Sequence, residues 1–189
     1  HDEFSHMKSD PVFSSYLGID WSGAKAKHHA GLQIAVAKPG KAVPRRIRPL
    51  VGRYWSRSQV LDLLIEYANA AVGKSPVLAG IDFAFAYPVS DGDGSICGYF
   101  PGYPHSPETA HDLWTLIDRL NADRPDLYGG GICDHPQLGA YYNAPGGRRG
   151  TAFASRRRLA EQVAMEVKSP SPTFNCVGPA GVGTGSLAG

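Results

Sequence analysis

Short apolar runs broken by turn residues set the pattern of the first half of the chain. Residues 14–20 lead through Tyr16, Leu17, Gly18 and Ile19 to Asp20, and Trp21-Ser22-Gly23-Ala24 follows. This predicts a buried strand that ends in a tight turn. Residues 29–37 read as a second strand, closed by Pro39-Gly40. Residues 43–51 set Arg46 and Arg48 against Ile47 and Leu50 in imperfect alternation. Pro44 and Pro49 put this third strand near a sheet edge. The short connections predict an antiparallel meander. A helix follows, with Ser58 as cap, Val60, Leu61, Leu64, Ile65 and Ala68 on one face, and Gly73 at its end. Residues 76–88 are the most apolar segment and read as a central strand covered on both faces. A helix between the first and fourth strands makes those strands parallel through a right-handed crossover.

The second half is less regular. Residues 90–103 are rich in Gly and Asp and read as a long loop. Ser106-Pro107-Glu108 opens a second helix, with Ala110, Leu113, Trp114, Ile117 and Leu120 on its apolar face. Gly129-Gly130-Gly131 and Pro145-Gly146-Gly147 bracket an irregular segment, and a third helix is predicted over 155–167. The tail from Pro170 to Gly189 holds too much Gly and Pro to be helical throughout.

Composition adds bounds. A chain of 189 residues with 42% hydrophobic residues can build a core, and no run approaches the roughly 18 apolar residues that cross a bilayer. The polar start, residues 1–7, reads as a vector-derived tag, with one domain over 8–189. Cys97, Cys133 and Cys176 are odd in number and scattered, which argues against a disulfide framework and for the reducing cytoplasm. The net charge of +2 hides segregation: residues 38–57 carry seven bases and no acid, and residues 82–126 carry eight acids against Arg119 and Arg124. Such zoning suits a face that attracts an anion, and equally an ordinary solvated surface.

If the first and fourth strands are neighbours, Asp20 and Asp82 sit near the carboxyl ends of adjacent parallel strands, where open α/β sheets bind ligands. Two carboxylates that close repel unless a cation holds both ionised. Magnesium or manganese suits such a pair, and two ions about 4 Å apart can activate water and stabilise a leaving oxygen. The alternative is that each Asp bonds its own turn, Asp20 over Trp21-Ser22-Gly23 for example.

The order of three meander strands, a helix and a fourth strand resembles the core of ribonuclease-H-like folds, and it also opens actin-type and sugar-kinase ATPase domains. Gly18-Ile19-Asp20-Trp21-Ser22-Gly23-Ala24 and the run from Gly80-Ile81-Asp82 to Tyr87-Pro88 resemble the two signature strands of a bacterial and archaeal family of unknown function, described as predicted nucleases with a ribonuclease-H-like fold. Phe153 to Glu161 is similar to that family's Arg-and-Glu segment, and Val182 to Gly189 to its turn before a C-terminal helix. The resemblance implies Asp20 and Asp82 as catalytic metal ligands. It also implies a further carboxylate on a C-terminal helix, which the domain is expected to lack; Glu161, Asp134 and Asp91 are the substitutes the chain offers.

Ser22, Arg156 and Arg157 are candidate phosphate ligands, since guanidinium forks match phosphate oxygens and positive charge at a helix start calls for a bound anion. The glycine-rich run 178–186 lacks the Lys of a phosphate-binding loop, and Cys133-Asp134-His135 lacks the paired spacing of a zinc site. Trp55, Trp114, Tyr141 and Tyr142 read as packing residues. Three functions follow as expectations: a metal-dependent nuclease-like hydrolase acting on nucleic acid or another phosphate-containing ligand, a nucleotide-binding relative of actin-type ATPases, and a non-catalytic binding domain.

Overall fold

Residues 12–73, 75–90, 94–178 and 182–189 are described by a computed structural model. Strand β1, Ser15–Asp20, runs beside β2, Gln33–Ala37, which in turn pairs with β3, Arg45–Ile47; both pairings are antiparallel. Helix α1, Arg57–Ala70, crosses over to β4, Val77–Ile81, which lies parallel to β1. The sheet order is β3-β2-β1-β4. The expected meander, crossover and parallel fourth strand are therefore present.

Alternation divides the residues of the sheet between two faces. Leu17, Ile19, Ile34, Val36, Ile47, Val77 and Ile81 pack with Val60, Leu63, Leu64 and Tyr67 of α1 into one apolar core. Opposite them, Gly18, Asp20, Arg46, Leu78 and Gly80 are exposed, and Tyr16, Gln33, Ala35 and Ala37 are half-buried.

Four expectations are corrected. Strand β4 is an edge strand, not a central one: β1 takes the middle, and Leu78 on β4 is 47% exposed. The apolar run that reads as one long strand is divided, because only Val77–Ile81 joins the sheet while Tyr87 goes on to a second core. The α1 cap is Ser56 rather than Ser58. The Gln59 amide donates to Ser56 Oγ at 3.2 Å, and the Gln59 side chain accepts from the Ser56 amide at 2.9 Å. Leu61 and Ile65, expected on the apolar face, are exposed.

The second core surrounds helix α2, Ala110–Leu120, whose Thr109 cap and Asp112 bond each other's backbone amides. Leu113 and Ile117 are buried against Tyr87, Phe100, Ile132, Leu138, Tyr142 and Phe174, whereas Trp114 is 53% exposed. The short strands β5, Asn143–Ala144, and β6, Arg148–Arg149, form a small hairpin. Helix α3 spans only Leu159–Ala164, and helix α4 covers Gly183–Ala188. The three cysteines are free. No described helix is long and apolar enough to cross a membrane.

Candidate functional site

The register decides where the two aspartates lie. Ile19 pairs with Ile81, and the Asp82 amide donates to the Ile19 carbonyl at 2.9 Å, so the parallel ladder carries Asp82 alongside Asp20. Neighbouring strands are about 4.8 Å apart, which sets the spacing of the two backbones. Asp20 follows buried Ile19 and lies on the open face, and both aspartates are exposed. Among the described residues neither carboxylate makes a hydrogen bond or an ion pair. The turn after β1 is bonded by Ser22 instead, whose Oγ accepts from the Ala24 amide at 3.4 Å. The two acids are thus left with free oxygens facing solvent.

No described group of three or more His, Cys, Asp or Glu side chains could hold a metal. Glu161 is buried in the first turn of α3, where its carboxylate accepts from the Arg158 amide at 2.8 Å and from Arg158 Nη2 at 2.6 Å. Asp134 accepts from Arg148 at 2.9 Å and lies 3.8 Å from Arg124. Asp91 lies outside the described residues. The donor set at the strand ends is therefore two carboxylates.

The predicted phosphate ligands separate from one another. Ser22 is half-buried in the turn that follows Asp20. Arg156 is buried; its Nη1 donates to the carbonyls of Gly98 and Tyr99 at 3.0 and 3.1 Å, and its guanidinium lies 6.0 Å from the Phe174 ring centre. Arg157 donates to the carbonyls of Pro170 and Ser155 and to Ser169 Oγ. Both guanidinium groups tie the segment before α3 to its surroundings.

Sequence reasoning missed the group that holds the Asp20 turn. Arg57, fully buried, donates through Nη1 to the carbonyls of Ser22 and Ala24 at 2.7 and 3.0 Å, and through Nε to the Asp126 carbonyl at 2.6 Å. The Asp126 carboxylate accepts from the amides of Arg57 and Ser58 at 3.1 and 3.0 Å and from Ser58 Oγ at 2.9 Å, which gives α1 a second cap from a distant loop. His29 Nε2 completes the group, 3.3 Å from Asp126 Oδ2. Burial pushes the Asp126 carboxyl up, but the hydrogen bonds from Ser58, Arg57 and His29 outweigh it and the net shift is downward. Burial, aided by the Arg57 charge, lowers the His29 ring. Arg57 stands in the basic stretch 38–57, and that stretch alone does not separate a buried Arg from exposed ones.

A cleft of about 430 Å³ opens directly after Asp82, walled by Phe83, Phe85, Trp114, Leu127 and α4. Helix α4 closes against the β1 turn: a Cβ at Gly23 would stand 2.1 Å from the Thr184 carbonyl carbon. The Ala84 amide donates to Ser186 Oγ at 3.1 Å. Both aspartates are thus followed by segments packed on the same short helix. Compared with protein families, curated proteins and solved structures, the chain matches none.

Proposed function

We propose that this protein is a metal-dependent phosphodiester hydrolase, nuclease-like and built on a ribonuclease-H-like sheet, with Asp20 and Asp82 as ligands of a magnesium or manganese ion. One observation carries the reading: two exposed aspartates whose carboxylates have no partner among the described residues lie at the carboxyl ends of adjacent parallel strands, Asp20 closing β1 and Asp82 following β4. Two unpaired carboxylates that approach each other repel, and a shared cation would remove that cost. A bound divalent ion would polarise a phosphoryl oxygen and lower the pKa of a coordinated water. The chain's own contribution is to hold the two carboxylates in register through the β1–β4 ladder and to fix the turn beyond Asp20 through Arg57. Ser22, beside Asp20, is the nearest candidate for a phosphate contact. Arg156 and Arg157 support the segment before α3 instead.

Isothermal titration with magnesium and with manganese tests the reading. The wild type is expected to bind at least one of the two ions. Asp82→Asn and Asp20→Asn are each expected to abolish that heat while leaving the thermal unfolding midpoint unchanged or raised, because each removes one of two repelling charges. A wild type that binds neither ion, or an Asp82→Asn variant that binds as well as wild type, overturns it.

A further inference from the structure

We propose that the face of the four-stranded sheet left open among the described residues is a track for single-stranded nucleic acid, with Arg46 holding a backbone phosphate and Tyr16 stacking on a base. The proposal rests on the hydrolase reading for the direction of the track, which ends at Asp20 and Asp82.

Register places these residues in rows across the sheet. Arg46 pairs with Ala35, Ala35 with Gly18, and Gly18 with Gly80. Paired positions share a face, so Arg46 points to the same side as Gly18 and, two residues further along β1, Asp20. Arg45, next to it on β3, pairs with Val36, which packs in the α1 core, and so belongs to the other face. Between Arg46 and the far edge the floor is low. A Cβ built on Gly18 meets nothing within 4 Å, and one on Gly80 meets only the Leu17 carbonyl oxygen at 3.9 Å. Two strand spacings, about 10 Å, separate the backbones of Arg46 and Gly18, a gap that an arginine side chain partly spans.

Tyr16 occupies the next row, paired with Ala37 and Leu78, and its ring is braced edge-on by Phe13 at 6.0 Å. An aromatic ring on an open sheet face, with Ala37 across from it and Gly18 two residues along, is a surface on which splayed bases stack. Charge favours the same occupant. The β3 side of the sheet belongs to the acid-free basic stretch 38–57, in which Lys41, Arg45, Arg46, Arg48 and Arg53 are exposed. A polyanion drawn to that edge and laid across the face arrives at the paired aspartates. The flat face presents no helix or ribbon for a duplex groove, which favours a single strand.

Fluorescence anisotropy with a short labelled oligothymidine, in EDTA and at low salt, tests the track without the metal. Wild type is expected to bind. Arg46→Glu is expected to weaken binding at least about tenfold, and Arg46→Ala to lower the slope of affinity against salt by about one. Arg45→Glu makes the same charge change on the other face and is expected to cost less than about threefold. Tyr16→Ala is expected to cost about fivefold or more, as loss of one stacked base does. A wild type that does not bind, equal effects at Arg45 and Arg46, or equal affinity for a duplex of the same length overturns the proposal. Because the assay contains no metal, Asp82→Asn is expected to bind as well as wild type or better. Oligothymidine binding without any metal titration therefore overturns only the hydrolase reading, and metal binding without oligothymidine binding overturns only the track.

Discussion

At His29 the ring nitrogen facing Asp126 is the donor, which makes the opposite nitrogen, Nδ1, the unprotonated one. Nδ1 is buried and has no partner among the described residues. A proton there would place a charge in the core beside Arg57, and the downward shift of the ring follows from that burial and that neighbour. The sign of the pH dependence follows. The unfolded chain takes up the His29 proton near the ordinary value of about 6.5, before the folded chain does, so stability is complete above that pH and falls as the medium acidifies through it. Asp126, also lowered on folding, adds a second loss below the ordinary carboxylate range. The unfolding midpoint is therefore expected to drop in two stages on acidification. His29→Gln, which keeps a donor for Asp126 and cannot titrate, is expected to flatten the upper stage; thermal melts across pH check this, and an unchanged upper stage would assign it elsewhere.

At the scale of elements, the ends of helices and strands show what local pattern can and cannot reveal. Ser56 and Ser58 stand two residues apart at the start of α1, and Ser58 is the cap expected from the sequence. Ser56 with Gln59 makes the reciprocal cap, and Ser58 bonds Asp126 instead. The Ser56–Gln59 spacing is the local signature of that cap, whereas the Ser58 bond depends on a loop far along the chain. Two glycines of the β1 region differ in the same way. Gly18 faces open space, so Gly18→Ala is expected to change stability by less than about 0.5 kcal/mol. At Gly23 a Cβ would overlap the backbone of Thr184 and Gly185, so Gly23→Ala must displace α4 and is expected to cost about 1–3 kcal/mol. Denaturant unfolding of the two variants side by side checks the contrast. In sequence both are glycines near a turn, and the difference comes wholly from what packs against them.

At the scale of the molecule, two apolar cores share one chain: the sheet with α1, and the aromatic cluster around α2. Their junction is polar. Asp126 reaches α1 and His29 on the sheet side from a loop after α2, and Asp126 and Leu127 both hold a left-handed backbone, with φ of 55° at each. That conformation costs about 1–2 kcal/mol per residue and persists because the Asp126 bonds hold it. Removing the carboxylate charge leaves Arg57 buried without its ion pair. Asp126→Asn is expected to destabilise by about 3–5 kcal/mol and to separate the unfolding of the two cores. Far-ultraviolet dichroism and tryptophan fluorescence should give one coincident transition in the wild type and diverging transitions in the variant. Coincident curves in Asp126→Asn would show that the junction rests on other contacts, such as the Trp21–Phe83 ring pair at 5.7 Å.

Local pattern in the sequence was enough for the order of β1 to β4 with α1 and α2, the crossover that makes β1 and β4 parallel, and the placement of Asp20 and Asp82 at strand ends. These follow from the spacing of apolar and turn residues over short stretches, because period two and period 3.6 are properties of a few consecutive residues. The assembled fold was needed to show that β4 is an edge and one sheet face is open among the described residues, and that Arg57, Asp126 and His29 meet. The Arg57–Asp126 bond spans 69 residues, and no local pattern encodes a contact of that separation. Which face of a strand is covered depends on what the rest of the chain packs there, a property of the assembled layers and not of the strand.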